Sequence, residues 1–82
     1  METLYSRQAK KSIENMDEMS RQRVRQAIKG IPQGDIKPLR GIPPGHYRLR
    51  VGDLRIIFAY DSENTARIKK IAPRGDAYKG VW

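Results

Sequence analysis

The chain has 82 residues, the length of one small domain, and we expect residues 1–82 to fold as a unit around a single modest core. Its 17 Lys and Arg against 9 Asp and Glu give a formal charge of +8, which favours a polyanionic partner such as nucleic acid, with an anionic membrane surface as the competing partner. The sequence has no cysteine and one histidine, His46, so a disulfide framework, a thiol nucleophile and the usual Cys and His zinc site are excluded, and we expect chemistry without a metal or cofactor.

The first residues do not resemble a targeting signal. Met1 to Ser6 lacks the basic start, the apolar middle and the cleavage site of a secretory signal. No apolar run elsewhere approaches the length of a membrane span. We therefore predict a cytoplasmic protein without a membrane-spanning segment, and we favour nucleic acid over a membrane as its partner.

Proline and glycine cluster between residues 30 and 45, where they separate a helical first half from a β-rich second half. That order predicts an α+β fold, with two N-terminal helices packed on one face of a small antiparallel sheet. After a possible short strand at 3–5, a first helix is predicted with Ser6 as its N-cap. Its apolar stripe consists of Ala9, Ile13 and Met16.

The second helix is predicted to begin at Ser20, a possible N-cap, and to end near Gly30 and Pro32. Its inward residues are Val24, Ala27, Ile28 and Ile31. The basic residues on its other side are Arg21, Arg23, Arg25 and Lys29. We interpret these basic residues as a solvated helix face, and the two helices as a helical hairpin.

The next segment, GDIKPLRGIPPG, is predicted to be an irregular loop, and the sheet to begin near His46. In YRLRVGDLRIIFAY, residues 47–60, Gly52 and Asp53 can form a two-residue hairpin turn. That register places Arg50 opposite Arg55. One face then carries Tyr47, Leu49, Val51, Leu54, Ile56, Phe58 and Tyr60 for the helices to cover, and the other carries His46, Arg48, Arg50 and Arg55.

A third strand is predicted from about Thr65 to Ala72, after the polar turn at residues 61–64. Its apolar and polar residues alternate imperfectly, so the register stays open. If Ile68 points to the core, Arg67 and Lys69 join the basic side of the sheet as RNA-binding residues, whereas a slip of one residue sends them to the opposite side.

Three arginines beside a histidine, with no cross-strand acid predicted to neutralise them, call for an explanation. Like charges directly opposite each other destabilise a sheet, although exposed arginines can also simply spread into water. We favour an anion-binding face, because guanidinium groups bind phosphate oxygens through two parallel hydrogen bonds. RNA in addition supplies its own nucleophile, the 2′-hydroxyl, so the protein needs only to position the phosphate, stabilise developing charge and assist proton transfer.

These residues resemble the RelE branch of the RelE/ParE toxin superfamily of bacterial toxin–antitoxin systems. The resemblance covers YSRQAKKSIENM, IKPLRG, YRLRVGDLRIIFAY and IAPRGDAY, and PLRG followed by YRLRVGDLRIIF is its most specific part. It implies two helices on a small antiparallel sheet. It also implies a metal-independent, ribosome-dependent endoribonuclease that enters the A site of the 70S ribosome, cleaves the mRNA codon there and so inhibits translation, with a cognate antitoxin as its other partner.

The resemblance also implies roles for individual residues. Arg55 and Arg74 would hold the phosphate and its developing charge, Arg48 would position the RNA backbone, and Tyr78 would stack on a base. Arg50 stands where relatives often have a lysine that accepts a proton. Because arginine is effectively always protonated, we expect Arg50 to stabilise charge and consider His46 for the acid–base role, or else as an ordinary surface residue.

A further departure is Pro73, which stands where many relatives carry a histidine. Catalysis could accordingly be slower, differently distributed or absent. Tyr78, too, has a simpler interpretation, as a residue packed over a sheet edge. Two alternatives therefore stay open: an inhibitor of DNA gyrase like ParE, and a non-catalytic relative that binds RNA or the ribosome.

Overall fold

The computed structural model describes residues 2–39 and 45–73. Its elements are β1 (Glu2–Tyr5), α1 (Arg7–Glu14), α2 (Glu18–Lys29), β2 (Ile36–Pro38), β3 (His46–Val51), β4 (Leu54–Ser62) and β5 (Thr65–Pro73). The strands form one sheet in the order β1-β5-β4-β3-β2. The α+β class is as predicted, but the sheet is mixed rather than antiparallel, because β1 precedes the helices and pairs in parallel with β5.

The first helix begins at its predicted cap. The Ala9 N–H donates to Ser6 Oγ at 3.0 Å, and the Ser6 hydroxyl donates to the Lys69 carbonyl at 2.7 Å. One serine therefore starts α1 and holds that start against β5. The buried residues of α1, Ala9 and Ile13, belong to the predicted stripe, and Met16 packs against the core from beyond the end of the helix.

The second helix begins earlier than predicted, and Ser20 is not its cap. Asp17 occupies the N-cap position, and its Oδ2 accepts a hydrogen bond from the Ser20 N–H at 3.1 Å. An aspartate three residues before the serine provides the accepting oxygen, so Ser20 becomes part of the first turn. The helix ends at Gly30 as predicted, and Val24 and Ile28 are its buried residues.

The central hairpin has the predicted register, from Val51 opposite Leu54 to Tyr47 opposite Phe58. Gly52 has a φ of 57°, and Asp53 is not among the residues with positive φ. This combination fits a type II′ turn, in which glycine takes the first central position and the backbone follows the right-handed twist of the strands.

The third predicted strand is β5, and a β-bulge explains its imperfect alternation. Phe58 lies opposite Ile68, but Ile57 lies opposite Lys70, so Lys69 is the extra residue. Ile68 and Ile71 are consequently both buried although they are three positions apart. The open alternative is thereby resolved with Ile68 in the core.

The segment predicted to be an irregular loop contains a strand, and that prediction is wrong. Residues 36–38 form β2, which pairs antiparallel with β3 along Ile36–Leu49, Lys37–Arg48 and Pro38–Tyr47. A central strand would exclude proline because it lacks an N–H, but β2 is the last strand of the sheet and tolerates it.

The helices cover one face of the sheet and enclose the core. Its fully buried large side chains on that face include Val24, Leu49, Ile56, Phe58 and Ile68. At one end, Tyr47, Phe58 and Tyr60 form an aromatic cluster with ring centroids 5.5–5.7 Å apart. In the described residues, neither helix has the length and apolar character needed to cross a membrane.

Candidate nucleic-acid interface

The face of the sheet that points away from the helices is strongly basic. The hairpin register puts His46, Arg48, Arg50 and Arg55 there, as predicted, and each neighbouring strand adds cations to it. Residues opposite one another in adjacent strands point to the same face. Arg67 lies opposite Ala59, Lys70 opposite Ile57 and Lys37 opposite Arg48, so these three cations also belong to this face. We call this surface the basic face: Lys37, His46, Arg48, Arg50, Arg55, Arg67, Lys69 and Lys70.

Lys69 follows the buried Ile68, and alternation along the strand places it on the basic face. The Asp61 carboxylate pairs with Arg67, and the positive charge of Lys69 also lowers the pKa of Asp61. Both RNA-binding candidates of β5 therefore lie on the basic face, while Ile68 between them is fully buried on the other side.

Arg55 is buried, with only 5% of its surface exposed. Its Nη1 donates to the Gly52 and Leu54 carbonyls, each at 3.1 Å. The guanidinium therefore braces the hairpin turn through one of its nitrogens. A residue predicted to hold phosphate thus also has a structural role.

Arg50 lies directly opposite Arg55 and is exposed. Two like charges across a strand pair repel each other, but here one is buried against the turn and the other extends into solvent. Of the two, Arg50 is the one accessible to a large anion.

Arg48 has an acidic partner that was not expected from the sequence. Its Nη2 lies 3.4 Å from Asp35 Oδ1, and its side chain is 15% exposed. The Asp35 carbonyl also accepts the Arg50 N–H at 3.0 Å, which continues the β2–β3 pairing by one residue. The expectation that no cross-strand acid neutralises these arginines is therefore wrong, because it assumed that β2 was a loop.

Arg67 forms an ion pair with Asp61 that is shorter than the one between Arg48 and Asp35. Its Nη2 lies 2.7 Å from Asp61 Oδ2, and its Nε also donates to both carboxylate oxygens. The hydrogen bonds from Arg67 lower the pKa of Asp61, and the same contact raises the pKa of Arg67. Both side chains are exposed, so a phosphate could compete for this arginine only by displacing a carboxylate.

His46 is buried rather than an ordinary surface residue, with 8% of its surface exposed. It lies opposite Ala59, four residues along β3 from Arg50. At about 3.3 Å per residue, that separation is about 13 Å. His46, Ala59 and Arg67 form one cross-strand row on adjacent strands, and this row lies away from Arg50 and Arg55.

Two further candidates, Arg74 and Tyr78, lie outside the described residues, so their roles stay predictions. Pro73 ends β5 opposite Leu54. Among residues 2–39 and 45–73, no group of three or more His, Asp or Glu side chains could hold a metal ion.

Asp35, Lys37 and Lys70 were not predicted from the sequence as part of this surface. The first two alternate with Ile36 in the pattern polar, apolar, polar, which is a strand signal, but it is too short to recognise beside Gly34 and Pro38. Lys70 was hidden by the bulge. Each of these residues joins the face through pairing with a distant strand.

Comparison with known proteins places this fold in a family. The family model of the ParE toxin of the type II toxin–antitoxin system, parDE, matches residues 4–78. The toxin–antitoxin complex RelBE2 from Mycobacterium tuberculosis contains a similar structure, with a TM-score of 0.75 and 22% identity over 89% of this chain and 96% of that one.

Two other structures are similar. The RelB–RelE antitoxin–toxin complex from Methanococcus jannaschii matches with a TM-score of 0.72 and 22% identity, over 92% of this chain and 94% of that one. The YoeB dimer from Staphylococcus aureus matches with a TM-score of 0.71 and 17% identity, over 85% and 92%. A search of curated proteins finds no match.

Proposed function

The chain belongs to the ParE toxin family of type II toxin–antitoxin systems, within the RelE/ParE superfamily, and from that premise we propose that it is an endoribonuclease that cleaves mRNA in the ribosomal A site. The observation that carries the proposal is the basic face, which gathers cations from four adjacent strands on the side of the sheet that points away from α1 and α2. Such a surface suits a phosphodiester backbone. A cognate antitoxin is proposed as the second partner, since two of the similar structures are toxin–antitoxin complexes.

The proposed reaction uses the RNA as its own nucleophile. The 2′-oxygen forms a bond to the adjacent phosphorus, the bond from phosphorus to the 5′-oxygen of the next nucleotide breaks, one proton leaves the 2′-hydroxyl and another reaches the departing oxygen. Arg50 would contact the phosphate directly because it is exposed. Arg55, fixed against the turn carbonyls, would supply a preorganised charge that needs no reorientation as negative charge develops.

The roles of the other candidates follow from their positions. Arg48 would position the RNA backbone beside Arg50, while Lys69 and Arg67 would extend the contact along β5. Arg74 and Tyr78 keep their proposed parts in holding the phosphate and stacking on a base. His46 is proposed for proton transfer only if the substrate binds beside Arg67, because about 13 Å of strand separates His46 from Arg50.

A second candidate function is inhibition of DNA gyrase. The match of a ParE family model to residues 4–78 favours it. That activity requires binding to an enzyme and not a set of phosphate-contacting groups. The third possibility, a relative that binds RNA or the ribosome without cutting, rests on the arginine at position 50 and the proline at 73, neither of which can readily accept a proton.

The test begins with purified protein and ribosomes that hold an empty A site over a defined mRNA, with mapping of new 5′ ends. Naked mRNA and an mRNA with 2′-deoxy sugars in the A-site codon are run beside it. We expect cleavage in the A-site codon that requires the ribosome and disappears with the 2′-deoxy sugar.

Arg50→Ala should reduce the cleavage rate by at least about tenfold if this arginine stabilises the charged phosphate. Arg25→Ala on α2 is the matched control, because it removes the same charge from an exposed site on the helical side. Gyrase supercoiling is measured in parallel. Intact message together with inhibited supercoiling would replace the first function by the second, and binding to ribosomes with neither effect would favour the non-cutting relative.

A further inference from the structure

The edge strand β2 places one carboxylate among three cations. Lys37 lies opposite Arg48, and Asp35 continues the same pairing toward Arg50. Alternation along β2 puts Asp35 and Lys37 on the same face. Among the described residues around Asp35, the charges of Lys37, Arg48 and Arg50 therefore exceed the acidic charge by two.

The existing contact between Asp35 and Arg48 is weak. Its 3.4 Å separation exceeds the 2.7–2.9 Å typical of a charge-assisted hydrogen bond, and the carboxylate is half exposed. The Nε of Arg48 is buried and has no hydrogen-bond partner among the described residues. Since a buried charged donor without an acceptor is costly, the guanidinium has capacity for a better acceptor than Asp35.

The two flanking cations are available. Lys37 and Arg50 are exposed, and within residues 2–39 and 45–73 no carboxylate forms an ion pair with either. Cross-strand neighbours lie about 5 Å apart and next-but-one neighbours along a strand about 7 Å apart, so one phosphate group can lie within reach of all three side chains.

We propose that Lys37, Arg48 and Arg50 form a binding site for one phosphodiester of the RNA, and that Asp35 is a built-in competitor that this phosphate displaces from Arg48. The proposal rests on the proposed RNA-directed function and adds two residues, Lys37 and Asp35, that family resemblance does not assign. Phosphate has more acceptor oxygens than the single carboxylate oxygen now in contact, so it can accept from more than one N–H group of the Arg48 guanidinium.

Lys37 also has a simpler role as an edge-strand lysine, because charged residues on edges discourage pairing with other chains. That role predicts no effect of Asp35 on RNA affinity. The two substitutions Lys37→Ala and Asp35→Asn are therefore informative together, since the proposal requires them to change affinity in opposite directions.

The experiment measures binding of the full chain to a fluorescently labelled single-stranded RNA by anisotropy, from about 50 to 200 mM salt. The RNA carries 2′-O-methyl groups throughout, so that it cannot be cleaved. The controls are Lys10→Ala and Glu14→Gln on α1, which change the formal charge by the same amounts at exposed positions of the helical side. Circular dichroism melting confirms that all four variants are folded.

We expect Lys37→Ala to weaken binding about three- to tenfold, and to lower the slope of log affinity against log salt by about 0.7, the value for one phosphate contact on a single strand. Asp35→Asn should tighten binding about threefold. The α1 controls should leave both quantities close to those of the unchanged protein.

Equal effects of Lys37→Ala and Lys10→Ala, or an Asp35→Asn variant that binds no more tightly than Glu14→Gln, would overturn the site. If the expected responses appear but no message is cut on ribosomes, the site stands and the endoribonuclease proposal fails. If cleavage occurs but Lys37 behaves like Lys10, only the site fails. A protein that does not bind this RNA at all would overturn the site, while the cleavage assay on ribosomes decides the endoribonuclease proposal separately.

Discussion

Arg21 joins the end of α1 to the start of α2 through hydrogen bonds, and its substitution tests how much these bonds stabilise the packing of the two helices. Its Nε donates to the Ile13 carbonyl at 3.2 Å, and its Nη2 donates to those of Glu14 at 3.2 Å and Met16 at 2.9 Å. These carbonyls lie at or just beyond the C-terminal end of α1, where a cation is favoured by the helix dipole. The Ile13 carbonyl also accepts the Met16 N–H at 3.2 Å, whereas the Glu14 and Met16 carbonyls have no further helical N–H group among the described residues to accept from. From the sequence, Arg21 was predicted only as part of a solvated helix face.

The magnitude follows from the exposure of each contact. The bonds to Ile13 and Met16 are part-buried, so each should contribute about 1 kcal/mol. The bond to Glu14 and the ion pair with Glu18 are exposed and should add little, because water replaces them. We therefore expect Arg21→Met, which keeps much of the apolar stem, to cost about 2 kcal/mol of unfolding free energy, or about 8 to 16 °C in Tm for a domain of this size.

Urea unfolding followed by circular dichroism measures this difference. Arg21→Lys should lose about half as much, because one ammonium group cannot span the three carbonyls. Arg25→Met is the control on the same helix, at an exposed position, and should change the unfolding free energy by less than about 0.5 kcal/mol. A loss below that limit for Arg21→Met would refute the inference that this arginine joins the helices.

Three further predictions concern the cap, the core and the turn. The hydrogen bond from Ser20 lowers the pKa of Asp17 in the folded protein, so the ionised carboxylate stabilises the fold above its unfolded pKa and this stability is lost as the pH falls through the lower folded pKa. Asp17→Asn should therefore flatten the loss of stability between about pH 5 and pH 2, measured by urea unfolding at each pH, and an unchanged slope would contradict this. Ile68→Ala should cost about 3 kcal/mol because the side chain is fully buried, whereas Met19→Ala, 72% exposed, should cost under about 0.5 kcal/mol; similar losses by chemical denaturation would count against the assigned β5 register. Gly52→Ala should cost about 1 to 2 kcal/mol at its φ of 57°, measured in the same way, and a neutral result would show that the turn does not require glycine.

The local parts of the fold could be predicted from the sequence because their signals are complete within a few residues. Ser6 caps α1 through an N–H three residues later, and the Gly52–Asp53 turn sets the register of the strands on both sides of it. Asp17 shows the limit of this reasoning. Two residues with capping side chains stood three apart, and geometry selected the first.

The candidate site could be predicted only in part. The hairpin alone places His46, Arg48, Arg50 and Arg55 on one face, so a basic surface was expected from the sequence. Their different environments were not. The burial of Arg55 against the turn carbonyls depends on tertiary packing, which the alternating pattern of the strand does not reveal. The sequence pattern therefore could not show that Arg55 is less accessible to phosphate than Arg50.

What the sequence determined by itself is the set of short-range choices: where helices start, which turn joins β3 to β4, and which side chains of that hairpin share a face. The tertiary structure alone decided which distant segments became neighbours. The pairing of residues 36–38 with β3 turned an apparent loop into the strand that brings Asp35 and Lys37 beside Arg48, and the bulge against β4 placed Lys70 on the basic side. The physical reason is that a backbone hydrogen bond between strands depends on the partner available, which a three-residue segment containing a proline does not encode.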